Sequence, residues 1–184
     1  MFAVCATALL CLMAVGHSAP LDCKDTVRPL DQLDSHKFEG RWAMVAGSLN
    51  ITEAAEPLRQ SDSISIDFYN TTITKSHRFG HSCQFFLHNV SIDGPNFNLT
   101  FGQLFTFTGT LFHTSCSDCV VLSLVADSPN YKSVEFYLFS KRREVDQKEM
   151  EEFITQVECL KMPQHFVMDP SKELCPERPR SSSA

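Results

Sequence analysis

Two cysteines separated by two residues, Cys116 and Cys119, have a spacing that could support redox chemistry. A dithiol of thioredoxin type needs its reactive cysteine at a helix N-terminus, where the thiolate is stabilised. Here the cysteines flank a short turn between segments with strand-like alternation. We therefore interpret them as a structural hairpin disulfide, with redox activity as the alternative. A zinc site would need two further ligands nearby, and His113 alone is close in sequence.

The remaining sequence carries no constellation typical of catalysis. No nucleophile and base have the sequence spacing of a known catalytic motif, and no glycine-rich phosphate-binding loop is present. No group of potential ligands has the spacing of a metal site. The sequence predicts a binding protein and not an enzyme, with no metal and no cofactor. Its net charge of -6 at pH 7 argues against nucleic acid or anionic membranes as partners.

Residues 1–18 predict a signal peptide. They contain no Asp, Glu, Lys or Arg, and the apolar run from Phe2 to Val15 is shorter than the ~20 helical residues that span a bilayer. The small residues Gly16 and Ser18 favour cleavage after Ser18. A positively charged side chain near the start is missing, so retention of the segment as an anchor is the alternative. No second hydrophobic span follows.

The mature chain has features of an extracellular protein. Once Cys5 and Cys11 leave with the signal peptide, six cysteines remain, and an even number in a secreted chain indicates a disulfide framework. Four Asn-x-Ser/Thr sequons predict N-linked glycans on the surface. The sequons begin at Asn50, Asn70, Asn89 and Asn98.

Apolar and polar residues alternate with period two from residue 41 to residue 140, which predicts eight short strands. Gly, Pro, Asn and Asp separate these segments at hairpin spacing. Eight successive strands favour an all-β, up-and-down antiparallel barrel, whose interior can hold one small ligand. The predicted strands are Arg41–Ser48, Ser63–Tyr69, Thr72–Arg78, Ser82–Ile92, Phe97–Phe101, Leu104–His113, Cys119–Ala126 and Ser133–Ser140.

Two segments frame the first strand. The polar arm Leu21–Lys37 is predicted to cross the base of the barrel and to be tied down by Cys23, since Pro20 and Pro29 block long regular structure. After the first strand, Asn50–Ser61 is predicted to form a long loop with a short helical turn.

Beyond the last strand the apolar spacing changes to three and four residues, which predicts an amphipathic helix packed outside the barrel. The helix should begin at Asp146 as N-cap and end before Pro163. An extended piece, His165–Met168, follows. The chain then forms one domain over residues 19–176, with a tail over residues 177–184 whose Pro, Arg and Ser content predicts disorder.

Glycan positions indicate which strand faces point outward, because a glycosylated Asn must face solvent and its neighbours at odd offsets then face the interior. Asn89 and Asn98 lie inside predicted strands and set this parity. Cys83 is then on the outer wall, where it can bond only to a segment that covers the barrel. Residues placed on the inner face are Gln84, Phe86, His88, Val90, Phe97, Leu99 and Phe101.

We predict a ligand cavity lined by phenylalanines and a few polar groups. The alternative is that the fifteen Phe fill a solid core, above all near Trp42 at the closed end. Inward polar residues favour a cavity, because a buried polar group without a partner costs about 1–3 kcal/mol; Tyr131 and Tyr137 are weaker candidates. The predicted ligand-binding residues are Phe68, Gln84, Phe86, His88, Phe97, Phe101, Phe105, Phe107 and Phe136.

The sequence around the single tryptophan resembles a known family. Gly40-Arg41-Trp42, in the stretch EGRWAMVAG, is similar to the Gly-x-Trp signature that opens the first strand of lipocalins. The succession of signal peptide, eight strands and C-terminal helix also resembles a lipocalin. Two departures are a Thr-Asp-Tyr motif replaced by Thr114–Cys119, and a Trp-capping Arg represented by Lys141 or Arg142.

Two further segments narrow the resemblance. Met150–Pro179 is similar to the C-terminal region of α1-acid glycoprotein, and Leu111–Cys116 resembles apolipoprotein M. Fish tributyltin-binding proteins and saxitoxin- and tetrodotoxin-binding proteins belong to the same neighbourhood. The resemblance implies the disulfides Cys23–Cys159 and Cys83–Cys175, and the second agrees with an outward Cys83; Cys116–Cys119 would be the third.

The resemblance implies a secreted, glycosylated and monomeric carrier found in plasma or another body fluid. It would reversibly bind a small hydrophobic or amphipathic ligand, such as a drug, a steroid, tributyltin or an alkaloid toxin. One alternative is a lipid carrier on lipoprotein particles, like apolipoprotein M, which a retained signal peptide would distinguish. A second alternative is a binding module that acts through its outer loops.

Overall fold

The structure, a computed structural model, describes residues 23–50, 58, 60–101, 105–128 and 131–177. Each strand pairs antiparallel with the next along the chain, and the first pairs with both the second and the eighth, which closes the barrel. The predicted eight-stranded all-β barrel is confirmed. Its strands are β1 (Gly40–Leu49), β2 (Ser63–Tyr69), β3 (Thr72–Phe79), β4 (Ser82–Asp93), β5 (Asn96–Phe101), β6 (Phe105–Phe112), β7 (Cys119–Ser128) and β8 (Tyr131–Ser140).

The described part of the chain also contains helices α1 (Cys23–Thr26), α2 (Ser35–Phe38) and α3 (Gln147–Cys159), and a short strand β9 (Phe166–Val167) that pairs with β1 outside the barrel. As predicted, α3 has Asp146 as its N-cap, and Asp146 and Glu149 exchange hydrogen bonds in a capping box. None of the described helices is long and apolar enough to cross a membrane.

The N-terminal arm closes one end of the barrel, as the sequence predicts. Its backbone bonds to the end of β6, with Leu30 N donating to Leu111 O at 2.8 Å. Trp42 Nε1 donates to Phe38 O at 2.8 Å, which ties β1 to α2. Lys141 Nζ lies 4.8 Å from the centre of the Trp42 ring, so Lys141 and not Arg142 takes the Trp-capping position.

All three expected disulfides are present. Cys23–Cys159 joins α1 to the last residue of α3, Cys83–Cys175 joins β4 to the segment after β9, and Cys116–Cys119 spans the turn before β7. The first bond fastens the segment before the barrel to the helix after it, and the second fastens the C-terminal segment to a barrel strand. The predicted signal peptide and residues 178–184 of the predicted tail lie outside the described residues.

Two apolar clusters lie on opposite sides of the barrel wall. The inner cluster includes Trp42, Phe97 and Tyr137. The outer cluster lies under α3 and joins Phe136 to Phe153 of that helix, with ring centres 5.4 Å apart and the rings nearly parallel. The prediction that Phe136 lines the cavity is therefore wrong. Because α3 covers β8, the outer face of this strand is also apolar, and alternation could not tell inside from outside.

Candidate ligand-binding cavity

The barrel encloses two adjoining cavities that share the side chains of Ile66, Ile73, Phe97 and Leu122. The lower cavity, about 50 Å³, lies beside Trp42 and Phe68, and its lining side chains are apolar. The upper cavity is larger, about 240 Å³, and polar groups from β3, β4 and β8 enter it. An apolar base with a few convergent polar groups is typical of small-molecule sites.

Four of the predicted ligand-binding residues line these cavities. Phe68 borders the lower cavity, Phe97 borders both, and His88 and Phe107 border the upper one. They converge because β2, β4, β5 and β6 belong to one closed barrel, in which the inward positions of all strands face the same axis. Tyr137, a weaker candidate in the sequence, also lines the upper cavity.

The glycine opposite Phe97 explains why this ring can lie across the interior. Gly109 on β6 pairs with Phe97 on β5, and a Cβ at Gly109 would overlap the Phe97 ring. The missing side chain therefore makes the space that the ring occupies. Phe97 is consequently part of the boundary between the lower and the upper cavity, together with the three other side chains that border both.

Other predicted residues are not brought to the cavities. Gln84 and Phe86 share the inward parity of His88 but lie near the start of β4, where both are exposed. The Phe86 ring packs edge-on against His77, with ring centres 5.6 Å apart. Phe101 and Phe105 pair across the β5–β6 hairpin, and their side chains lie outside the described part of the structure.

Two charged residues that were not predicted lie in the upper cavity, Lys75 on β3 and Glu135 on β8. Strand alternation does place both residues on the inner face, because Lys75 has the same parity as Ile73 and Glu135 has the same parity as Tyr137. Their charge concealed it, since charged residues are almost never fully buried unless they are paired.

Hydrogen bonds hold the Glu135 carboxylate in place. Tyr137 Oη donates to one carboxylate oxygen at 2.7 Å, and Ser133 Oγ donates to the other at 3.4 Å. Glu135 itself is buried, with 6% of its surface exposed. Donors from its own strand therefore satisfy both oxygens of this carboxylate, which makes burial of the charge tolerable.

Lys75 extends toward β8, and its Nζ lies 5.9 Å from the centre of the Tyr137 ring. Burial lowers the pKa of Lys75, while the Glu135 charge acts in the opposite direction. Burial also lowers the pKa of His88, and the Lys75 charge lowers it further. The cavity thus contains a lysine, a glutamate and a histidine whose uncharged form is favoured.

His77 is the second histidine beside Lys75. Its Nδ1 lies 3.0 Å from Ser61 Oγ, and its ring stacks on Phe79. Burial, with a smaller contribution from Lys75, lowers the pKa of His77 from 6.5 to about 3. The protonated form is therefore strongly disfavoured in the folded protein.

We expect His77 to make folding sensitive to acid. Because its folded-state pKa is about 3 and its ordinary value is 6.5, the unfolded chain binds the extra proton between these limits. The contribution of His77 to the free energy of unfolding is complete above pH 6.5. As the pH is lowered below this value, the contribution decreases by up to about 1.4 kcal/mol per pH unit. We expect the free energy of unfolding, measured by denaturant titration between these pH values, to depend less steeply on pH in His77→Gln than in wild type. The exposed-turn variant His81→Gln serves as the control; an unchanged slope in His77→Gln would contradict the assignment.

The Cys116–Cys119 region does not have the arrangement of a redox or zinc centre. Cys116, Asp118, Cys119 and Glu149 offer ligand atoms within 4.8 Å of one another, but the two sulfurs are bonded together. Arg142 also contacts Cys116 Sγ at 3.2 Å, Asp118 at 2.9 Å and Glu149 at 2.8 Å. A guanidinium therefore occupies the place where a cation would bind, and the arrangement supports a structural disulfide.

Comparison with known proteins identifies the class of fold. No protein-family model matches the chain, and no curated protein sequence matches it. The closed eight-stranded barrel with one long helix outside is a lipocalin fold. The structure is similar to the solution structure of lipocalin 12 from rat epididymis, with a TM-score of 0.67 and 14% identity over 79% of this chain and 90% of that one.

Proposed function

We propose that this protein is a secreted carrier that reversibly binds a small hydrophobic or amphipathic molecule inside its barrel. The observation that carries the proposal is the upper cavity of about 240 Å³, in which Lys75, His88 and Glu135 face apolar walls. A core that only filled space would not contain a lysine and a glutamate, because burying charge is costly. Their presence favours an amphipathic ligand of xenobiotic, steroid, drug or toxin type.

Several features support secretion and glycosylation. The three disulfides are typical of proteins that fold in an oxidising compartment. Among the four sequon asparagines, Asn50, Asn70 and Asn89 are exposed, while Asn98 is half-buried and accepts a hydrogen bond from Thr108 at 3.1 Å. We therefore propose glycans at the three exposed sites first, because Asn98 is less accessible than they are.

Native mass spectrometry of the protein purified from its own secretory source tests the proposal. A small molecule that is released on denaturation establishes the carrier function, and its mass distinguishes a lipid from a xenobiotic. The mass of the chain also shows whether the signal peptide is retained, as the lipoprotein-associated alternative requires. An empty protein that also fails to bind hydrophobic fluorophores would contradict the proposal and favour action through the outer loops.

Two adjacent residues of β7 provide a matched test of the cavity. Leu124 lines the upper cavity, whereas Val125 is 40% exposed on the outer wall. Leu124→Trp should fill part of the cavity and weaken binding of a hydrophobic fluorophore about tenfold or more. Val125→Trp adds the same ring outside and should leave binding unchanged. Fluorescence titration measures both, and equal affinities in the two variants would place the binding site elsewhere.

A further inference from the structure

The Lys75 ammonium has donors that the protein does not satisfy. An ammonium offers three N–H donors and no acceptor. Within the described part of the chain, Nζ makes the long contact with the Tyr137 ring and is attracted by Glu135, but it forms no hydrogen bond and no ion pair within 4.0 Å. This half-buried ammonium therefore lacks a protein partner at hydrogen-bond distance among the described residues.

The other polar groups of the cavity do not have the same need. Tyr137 and Ser133 already donate to the two oxygens of Glu135. The lowered pKa of His88 favours its uncharged form, so this residue requires no counter-ion near neutral pH. The missing component is therefore an acceptor, and an anionic acceptor would interact most strongly with the ammonium.

The position of Lys75 also sets the orientation of a ligand. Its ammonium enters the upper cavity, while the lower cavity beside Trp42 and Phe68 has apolar side chains on its walls. A cationic ligand would meet the charge of Lys75 and a Glu135 whose oxygens already accept hydrogen bonds. A neutral ligand without an acceptor would leave the ammonium without a hydrogen-bond partner.

On the basis of the carrier function, we propose that Lys75 binds the anionic head group of an amphipathic ligand, a carboxylate or a phosphate ester, whose apolar tail extends past Phe97 toward Trp42. The ammonium donates directly to the head group and the tail is buried among the apolar walls. Glu135 lies on the same cavity wall as Tyr137 and repels the head group, so it limits the affinity, and its charge attracts Lys75 in the absence of ligand.

Three probes with one tail and different head groups test this inference: decanoate, decanol and decylamine. Displacement of a cavity-bound fluorophore should show that wild type prefers decanoate. Lys75→Met should weaken decanoate binding about tenfold, the factor equivalent to ~1.4 kcal/mol, and should leave decanol affinity unchanged. Lys75→Arg should keep the preference, and Lys148→Met on the exposed face of α3 is the matched control.

One further variant and one further probe test the role of Glu135 and the type of head group. Glu135→Gln should strengthen decanoate binding and weaken decylamine binding, because it removes a negative charge and keeps an acceptor for Tyr137. Decyl phosphate in place of decanoate distinguishes the two head groups. Equal binding of decanoate and decanol, or undiminished decanoate binding by a folded Lys75→Met variant, overturns the head-group site and leaves the carrier function intact. If none of the probes displaces the fluorophore from wild type, the head-group site is overturned, and if the fluorophore itself does not bind, the carrier function fails as well.

Discussion

Phe136→Ala should lower the free energy of unfolding by about 3–5 kcal/mol and leave ligand affinity unchanged. Phe136 is fully buried between the barrel wall and α3. Its ring stacks on Phe153 at 5.4 Å and meets the edge of Phe112 at 5.5 Å. Truncation removes both ring contacts and leaves a void under the helix. Guanidinium denaturation measures the stability, and titration with a hydrophobic fluorophore measures the affinity.

Phe97→Ala is the matched variant on the other side of the wall. Phe97 is also buried, but it borders both cavities, so its loss should join them and change ligand affinity. The two variants thus separate the contribution of the outer cluster from that of the ligand site. A change of affinity in Phe136→Ala as large as in Phe97→Ala would contradict the placement of Phe136 outside the cavity.

Replacing Cys83 and Cys175 together by serine should cost about 4–5 kcal/mol of stability in the chain-entropy model. The bond joins residues 92 positions apart, so it removes many conformations from the unfolded chain. In the folded protein it also holds the segment after β9 against β3, where Arg78 donates to Leu174 O at 3.1 Å and contacts Glu173 at 2.9 Å. Urea denaturation of the double variant measures the effect.

The Cys116–Cys119 bond is the internal comparison for this prediction. Its cysteines are only 3 positions apart, so the same model gives about 2 kcal/mol for its removal. We expect the Cys116→Ser, Cys119→Ser double variant to remain folded and to unfold at a higher denaturant concentration than the Cys83, Cys175 variant. Equal losses from the two removals would show that loop entropy is not the source of the difference.

Local patterns predict the secondary structure well because they reflect short-range physics. Period-two alternation located all eight strands within a few residues of their observed bounds, and Asp146 identified the start of α3 through its capping chemistry. Parity taken from the sequons also placed His88 and Phe97 on the inner face, where the structure has them. In each case the pattern concerns neighbours in sequence or one side of one strand.

The errors in the predicted site arise where a third element covers a strand. Alternation on β8 separates Phe136 and Leu138 from Glu135 and Tyr137, but it does not say which set faces the barrel axis. The helix that covers β8 makes its outer face the more apolar one. Hydrophobicity alone therefore favoured Phe136 as a cavity residue and overlooked Glu135.

The sequence by itself determined the strands, the long helix and the outward position of Cys83, because each depends on local periodicity, capping or parity. Only the tertiary structure decided that Lys141 caps Trp42, that Phe136 packs under α3, and that Lys75 and Glu135 enter one cavity. These outcomes depend on which surfaces meet across strands far apart in sequence. Whether Lys75 of β3 and Glu135 of β8 share one cavity depends on how strands from different parts of the chain close the barrel, and no pattern within one strand contains that information.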